Sequence, residues 1–369
     1  MQINKLPLFL FLSIAIFASC SNDDDDNQPD YEIPAVYAFQ NVSYNGQLQR
    51  LAMLSEMKSY MATSRTSGVV LDGVKLKAMF ANDAANASWS GTYEDSKQIR
   101  SKTFAQEQAV FEALIDEIVE ASKSTVVGSE GISGVIESND GAKSYLIGED
   151  GLDHAQLIEK GLMGACLYYQ ATSVYFGDDR MNVDNTVVEP GEGTEMEHHW
   201  DEAFGYLGVP IDFPSSTDGV VFWGSYADKR ESVLGNSKAL MDEMLRGRAA
   251  ISNNDLITRD EAIVEARKQW ELVSVASALH YLNVAIDHID TDFTIYAHGL
   301  SEGIAFTYSL KFNEGKSINN SQIDELLSLM GGASDFDQMN LYHVTTDDLQ
   351  SAKDQLADYF GLASKKDDF

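Results

Sequence analysis

The chain has 369 residues, of which 44% are hydrophobic and 23% charged, a composition typical of a folded globular protein. Its 58 acidic residues exceed its 26 basic residues and give a formal net charge of -32. This charge excludes the basic surface that nucleic acid binding requires, and the two cysteines exclude a disulfide-stapled scaffold.

Residues 1–19 are predicted to be the signal peptide of a lipoprotein. Residues 6–17 form a nearly unbroken apolar run, which is shorter than the ~20 apolar residues of a membrane span. The run ends in Phe17-Ala18-Ser19-Cys20, which resembles the lipobox in which the cysteine becomes the lipidated first residue of the mature protein. We therefore expect Cys20 to carry a lipid anchor that makes the membrane a partner of the chain. An ordinary signal peptide with a chance cysteine is the alternative.

Residues 20–36 are predicted to be an acidic tether. Aspartates occupy positions 23–26, where their charges repel each other and stay hydrated, and two prolines follow at positions 29 and 34. The acidic run resembles the signal that sends some Bacteroidota-type lipoproteins to the outer face of the outer membrane. We therefore expect an outer membrane lipoprotein exposed at the cell surface. The periplasmic face is the alternative location, and a plain solvated spacer is the alternative role of the run.

The rest of the chain has a helical hydrophobic period, which predicts an all-α fold of about nine helices. The first three helices are predicted near residues 46–63, 104–122 and 156–176. The third contains Cys166 as a core residue and glycines at 161 and 164 that let a neighbouring helix approach closely. Between the second and third, alternating apolar residues flank Asp140-Gly141 and predict one β-hairpin.

Four capping boxes predict helix starts in the second half of the chain: Thr194–Glu197, Thr258–Glu261, Ser321–Asp324 and Thr345–Asp348. The second of these precedes a long helix that is predicted to break near residue 290, before a further helix over residues 296–310. Residues 37–365 are predicted to form the helical domain. The glycine- and proline-containing stretch 177–193 divides it into possible halves, 37–190 and 191–365.

The first candidate metal ligands lie in the sequence Glu197-His198-His199-Trp200-Asp201-Glu202. On a helix, both histidines share a face with Glu202, because the spacings are four and three residues. Imidazole nitrogen and carboxylate oxygen suit iron, zinc and other divalent metals. A buried polar network that holds helices in register is the alternative role of these residues. Trp200 is predicted to lie in the core.

A second candidate set consists of His298 and Glu302, which are four residues apart, and His280 on the preceding helix. If the break near residue 290 folds these helices into an antiparallel pair, His280 and His298 lie at similar heights along it. The other three histidines have polar neighbours and are predicted to lie at the surface: His154, His288 and His343. The chain contains no His-Glu-x-x-His sequence, so the common zinc-protease helix is missing.

These histidine and glutamate sets resemble those of the imelysin family of bacterial extracytoplasmic helical proteins. Two stretches, residues 39–51 and 196–206, are similar to an uncharacterised lipoprotein group associated with imelysin-like proteins in iron-uptake loci. The resemblance implies helical bundles and a Gly-x-His-x-x-Glu motif, whose histidine and glutamate are His199 and Glu202. Glu197 occupies the glycine position. The implied role is metal handling.

The leading hypothesis is a membrane-anchored extracytoplasmic lipoprotein that binds a metal ion or a metal-bearing ligand in iron acquisition. Its cofactor would be iron or zinc, and its protein partners would be outer-membrane metal-uptake proteins. The first alternative is an imelysin-type metallopeptidase with Glu302 or Asp201 as general base. The second is a glycan- or protein-binding surface module that uses loop aromatics: Trp89, Tyr93, Trp223 and Tyr226.

Overall fold

Helices dominate the computed structural model, which describes residues 30–369. Within these residues there are thirteen α-helices and one two-stranded antiparallel sheet, so the predicted all-α fold with a hairpin is confirmed and the helix count was too low. The α-helices are α1 (Asn45–Met61), α2 (Gly73–Ala81), α3 (Ala84–Ala87), α4 (Gln108–Ala121), α5 (His154–Leu162), α6 (Asp178–Met181), α7 (Glu195–Gly205), α8 (Trp223–Leu234), α9 (Ser237–Ser252), α10 (Leu256–His288), α11 (Phe293–Ser309), α12 (Asn320–Gly331) and α13 (Thr346–Tyr359).

Ile33–Phe369 cluster as one unit, and the possible halves 37–190 and 191–365 both lie within it. Met1–Glu32 form the other unit, of which the structure describes only residues 30–32. The predicted signal peptide, Cys20 and the acidic run lie outside the described residues. No helix in residues 30–369 is both long enough and apolar enough to span a bilayer.

The predicted hairpin pairs β1 (Gly134–Glu137) with β2 (Ser144–Ile147), with Val135 opposite Leu146. Gly141 has a φ of 68° in the connecting turn, a backbone conformation that glycine adopts without strain. Because Leu146 and Ile147 are buried against the helices, the hairpin forms part of the same core.

The third predicted helix is continuous but changes its winding. It begins as α5, which Asp153 caps, and continues as two π-helical segments, Met163–Tyr168 and Gln170–Tyr175. Cys166 is fully buried, as predicted. Gly164 lies so close to Ser309 of α11 that a side chain at position 164 would overlap it, which confirms the predicted close approach. π-Helical turns are rare in proteins, and those that occur are often found at functional sites.

Two of the four predicted capping boxes are present, at Thr194 and Thr345. The box at Thr258 was wrong, because Asp255 caps α10 and accepts a hydrogen bond from the backbone N–H of Thr258. The box at Ser321 was also wrong, because Asn319 caps α12 two residues earlier. Asparagine and aspartate are preferred at the cap position at least as strongly as serine and threonine. Both helices therefore begin at an Asp or Asn cap that lies two or three residues before the predicted one.

The long helix breaks where the sequence predicts, and α10 and α11 pack along each other. Asp292 caps α11, and Ser274 of α10 donates a hydrogen bond to the carbonyl oxygen of Phe306. The rings of Trp223 and Trp270 lie fully buried beside this pair, with centroids 6.3 Å apart. Helix α11 packs against α5 and the first π-helical segment, and the second π-helical segment packs against α7.

Candidate functional site

Helix α7 carries the first candidate set and is held by the core on its opposite side. Its predicted core residue Trp200 is fully buried, and its indole N–H donates to the carbonyl oxygen of Met244. Phe204 is also buried and stacks on Tyr37 with ring centroids 3.7 Å apart. The side chains of His198, His199 and Glu202 are therefore presented on the other face of a fixed helix.

A buried ionic network fixes the register of α7. The guanidinium of Arg248 donates to Asp201 at 2.9 Å and to Glu197 at 2.6 Å, and Tyr37 donates its hydroxyl to Asp201 at 2.7 Å. Burial raises the pKa of Asp201 to about 6, even though Arg248 and the Tyr37 hydrogen bond act to lower it. Asp201 is fully buried, so it serves as an anchor of the helix and not as a solvent-facing general base.

Glu202 is the centre of the first set, as the spacing predicts. One of its carboxylate oxygens accepts hydrogen bonds from Gln47 at 2.8 Å and from the Tyr175 hydroxyl at 3.0 Å. The other lies 3.3 Å from His199 Nδ1 and 3.9 Å from His198 Nε2. We call these five residues the Glu202 site. It joins α1, the second π-helical segment and α7.

The hydrogen bonds at the Glu202 site keep its carboxylate ionised. Burial alone would raise the pKa of Glu202, but hydrogen bonds from His199 and Gln47 outweigh it and lower the pKa to about 2. Burial and the charge of Glu202 raise the pKa of Tyr175, so that its hydroxyl stays protonated as a donor. The site therefore contains a permanent negative charge with imidazoles on one side.

Two positively charged side chains border this carboxylate. Arg180 places its Nη1 3.4 Å from His199 Nε2, and Lys102 donates to the Tyr175 hydroxyl at 3.1 Å. Burial lowers the pKa of Lys102, with a smaller contribution in the same direction from Arg50. The Glu202 site is thus an acidic centre with a basic border, in a chain whose net charge is strongly negative.

The second set lies in a buried ion cluster. Glu302 has one carboxylate oxygen 3.3 Å from the Lys160 ammonium and 3.6 Å from His298 Nε2, while Lys160 also lies 3.0 Å from Glu159. Burial would raise the pKa of Glu302, but the charges of Lys160 and His298 reverse this and lower it. The other oxygen of Glu302 is also buried, and the charge of Glu302 contributes to a raised pKa of the neighbouring Tyr281.

The two histidines of the second set also contact groups outside it. His298 Nδ1 lies 2.8 Å from Asp153, and the ring stacks on Tyr145 with centroids 3.7 Å apart. His280 packs against the ring of Tyr281 at 4.9 Å. Burial lowers the pKa of His280, which disfavours its charged form.

The two predicted sets have different surroundings. Glu202 is held by Gln47, Tyr175 and the histidines of α7, whereas Glu302 is held by Lys160 and His298. Among residues 30–369, no three or more His, Cys, Asp or Glu side chains are grouped so that they could hold a metal ion. A metal at either set would therefore need donor atoms from a bound molecule to complete its coordination.

Sequence reasoning misplaced or missed several polar residues of these sites. His154 was predicted at the surface, but it is 4% exposed and its Nε2 lies 3.2 Å from Glu117. That prediction was wrong because the first turn of α5 is buried by packing against other helices, which the polar residues next to His154 in the sequence do not indicate. Lys160 was missed, although a lysine beside a glutamate in an otherwise apolar helix is a visible sign of a buried pair.

The sequence Gly299-Leu-Ser-Glu-Gly303 has the Gly-x-Ser-x-Gly spacing of a nucleophile elbow, but it lies inside α11 and not at a strand-to-helix turn. Ser301 is fully buried and donates its hydroxyl to the carbonyl oxygen of Ala297. The hydroxyl also accepts from the backbone N–H of Asp153. This serine is a packing residue that joins α11 to the start of α5.

The predicted loop aromatics do not form an exposed set. Trp223 and Tyr226 begin α8 and are 0% and 6% exposed. The rings of Trp89 and Tyr93 pack edge to face. The indole N–H of Trp89 donates a hydrogen bond to Asn82, and the hydroxyl of Tyr93 donates one to the carboxylate of Glu56. These rings anchor their segments to the core.

The chain belongs to the family described as a domain of unknown function, DUF4856, whose model matches residues 34–363. The match spans almost the whole described chain, including both candidate sets. No curated protein and no solved structure matches the chain. The relation to imelysin-like proteins, which the histidine and glutamate spacing suggests, stays a prediction.

Proposed function

We propose that this chain is a membrane-anchored extracytoplasmic lipoprotein that binds a metal-bearing ligand at the Glu202 site and serves iron acquisition. One observation carries the proposal. A single carboxylate oxygen of Glu202 faces imidazole nitrogens of both His198 and His199, so three side chains of metal-ligating type share one turn of a fixed helix. The ligands that this geometry offers are nitrogen and oxygen donors, which suit iron and zinc.

A metal-bearing ligand fits the site better than a bare ion. Zinc takes four donors and iron commonly takes more, whereas within residues 30–369 the turn of α7 does not group three donor side chains around one point. Arg180 and Lys102 border the site and would repel a free cation, but they would attract the acidic groups of a chelator that carries the metal. The chelator would supply the remaining donors, and the protein would supply recognition.

The anchor and the acidic tether give this binding protein a location. Lipidation at Cys20 would hold the helical unit at the outer membrane, and the hydrated aspartates at 23–26 would keep the unit away from the bilayer surface. In that position the protein would pass its cargo to an outer-membrane metal-uptake protein. This partner is inferred from the location and not from a surface of the chain.

The binding proposal is tested by calorimetric titration of the mature chain. One titration uses ferric citrate, with Fe(III) held by excess citrate, and a separate one uses zinc chloride. We expect the ferric chelate to bind, and His199→Ala and Glu202→Gln each to weaken it by about tenfold or more. His343→Ala is the matched control, since His343 is 70% exposed and pairs with the exposed Glu130. Equal binding by all three variants would remove the Glu202 site from the proposal.

Location is tested separately in cells. We expect the wild-type chain to incorporate labelled fatty acid and Cys20→Ser to lose this label. We also expect external protease to digest the protein on intact cells. Labelling that survives Cys20→Ser would contradict the anchor, and protection from protease would place the protein on the periplasmic face.

A further inference from the structure

A large polar cavity opens beside the end of the π-helical stretch, outside the Glu202 site. Its volume is about 910 Å³, and its lining includes Tyr169, Ser173 and Arg267 together with the carboxylates of Asp178, Asp179 and Glu314. Ligand pockets for small molecules commonly have volumes of about 300–1,000 Å³. We call this space the Arg267 cavity.

Arg267 is fixed in the wall of this cavity by backbone groups. Its Nε donates to the carbonyl oxygen of Thr172 at 2.7 Å, and its Nη2 donates to that of Phe176 at 3.0 Å. Burial lowers the pKa of Arg267, and Glu314 and Asp178 offset this through their charges alone. Within residues 30–369 no carboxylate forms a hydrogen bond or ion pair with Arg267, and the two bonds to backbone carbonyls hold the guanidinium in one orientation.

The loop that carries Glu314 is also held in place. The hydroxyl of Ser173 donates to the carbonyl oxygen of Phe312 and accepts from the backbone N–H of Glu314. Asn313 donates to the buried hydroxyl of Tyr168 and accepts from the backbone N–H of Gly315. These bonds tie the loop that carries Glu314 to the π-helical stretch, so the cavity is preformed.

The charges of the cavity are separated by depth. Arg267 is half-buried, whereas the side chains of Asp178, Asp179 and Glu314 are exposed at the rim. Arg180 also lies at the rim, where its Nη1 is directed to His199. A purely anionic molecule would meet the three carboxylates on entry, and a purely cationic one would meet the guanidinium inside.

We infer that the Arg267 cavity is a second binding site, for a small zwitterion of the amino acid or short peptide class. The carboxylate of the ligand pairs with the guanidinium of Arg267, whose planar fork matches a carboxylate in a bidentate geometry. The ammonium group of the ligand lies among Asp178, Asp179 and Glu314. This arrangement uses every charge that the cavity offers except Arg180, and it does not depend on metal binding at the Glu202 site.

Calorimetry of the full mature chain with trialanine as the probe tests this inference. We expect trialanine to bind, and its N-acetylated and C-amidated forms each to bind at least about tenfold more weakly. Arg267→Lys keeps the charge but loses the fork, and it should weaken trialanine by a similar factor. Lys268→Gln is the matched control, because Lys268 is the next residue on α10, is exposed and pairs with Glu265.

Glu314→Gln supplies a readout that does not depend on the fold of an arginine variant. Glu314 is exposed, and its backbone N–H donates the hydrogen bond to Ser173 that helps to hold the loop, so a side-chain substitution should leave the cavity intact. It should reduce the preference for trialanine over N-acetyl-trialanine while leaving the preference for the free carboxylate unchanged. The inference is overturned if trialanine fails to bind at millimolar concentration, or if both blocked forms bind as well as it does.

Discussion

Replacing Arg248 by methionine should destabilise the protein in a way that depends on pH. The guanidinium is 1% exposed and pairs with Asp201, which is fully buried and has one oxygen without a hydrogen-bond partner. Removing one member of a buried ion pair costs about 3–5 kcal/mol, because the other charge is left unpaired. We expect a loss of this size in the free energy of unfolding near neutral pH.

The pH dependence follows from the pKa of Asp201, which burial raises in the folded protein from its ordinary 3.8 to about 6. A raised pKa means that the folded state binds the proton more tightly, so this contribution to stability is complete below pH 3.8 and is lost as the pH rises through 6. Over that interval the loss is up to about 3 kcal/mol. Without Arg248 the pKa of Asp201 rises further, so the extra cost of Arg248→Met should be larger at about pH 8 than at about pH 5.5.

Urea unfolding at these two pH values measures both quantities. Arg246→Met is the control on the same helix, since Arg246 is 26% exposed and pairs with Glu243 and Glu261 near the surface, where an ion pair contributes at most about 1 kcal/mol. Adding Asp201→Asn to Arg248→Met should recover part of the loss, because it removes the unpaired charge. A loss that equals that of Arg246→Met, or that does not change with pH, would refute the reasoning.

Three further predictions concern packing, capping and acid stability. Gly247→Ala would place a methyl group against the indole ring of Trp200 on α7 and should lower the free energy of unfolding by at least about 1–3 kcal/mol. Gly46→Ala is the control and should change the free energy of unfolding little, because its methyl group would meet only the ends of flexible side chains. Asn319→Ala should cost about 1 kcal/mol in urea unfolding while Ser321→Ala costs much less, and the reverse order would restore the original capping prediction. The lowered pKa of Glu202 gives stability that is present above pH 4.5 and lost as the pH falls toward 2, by up to about 3 kcal/mol, so Glu202→Gln should flatten the acid limb of a stability curve.

The features that the sequence predicted well are those set by neighbours along the chain. The hairpin at Asp140-Gly141, the capping box at Thr194 and the shared face of His199 and Glu202 each depend on residues only a few positions apart. The same local logic failed at Thr258, where Asp255 satisfies the first turn instead. Local patterns thus identify that an element exists more reliably than where it starts.

The groups that complete the sites come from distant parts of the chain, and no local pattern points to them. Gln47 reaches Glu202 across 155 residues, and Tyr175 depends on a π-helical winding that has no sequence signature here. Burial of His154 and Lys160 is likewise set by packing between helices far apart in sequence.

The ion cluster of Glu159, Lys160 and Glu302 has a consequence for how the chain can be divided. Lys160 and Glu159 enter the interior on α5, while Glu302, which contacts the same ammonium group, arrives more than a hundred residues later on α11. A fragment that ended before α11 would have to bury this ammonium without its second counter-ion, and it would expose the groove that Ser309 fills beside Gly164. The early and late parts of the chain should therefore reach their native state together, in one cooperative transition, and truncation between them should yield an unfolded product.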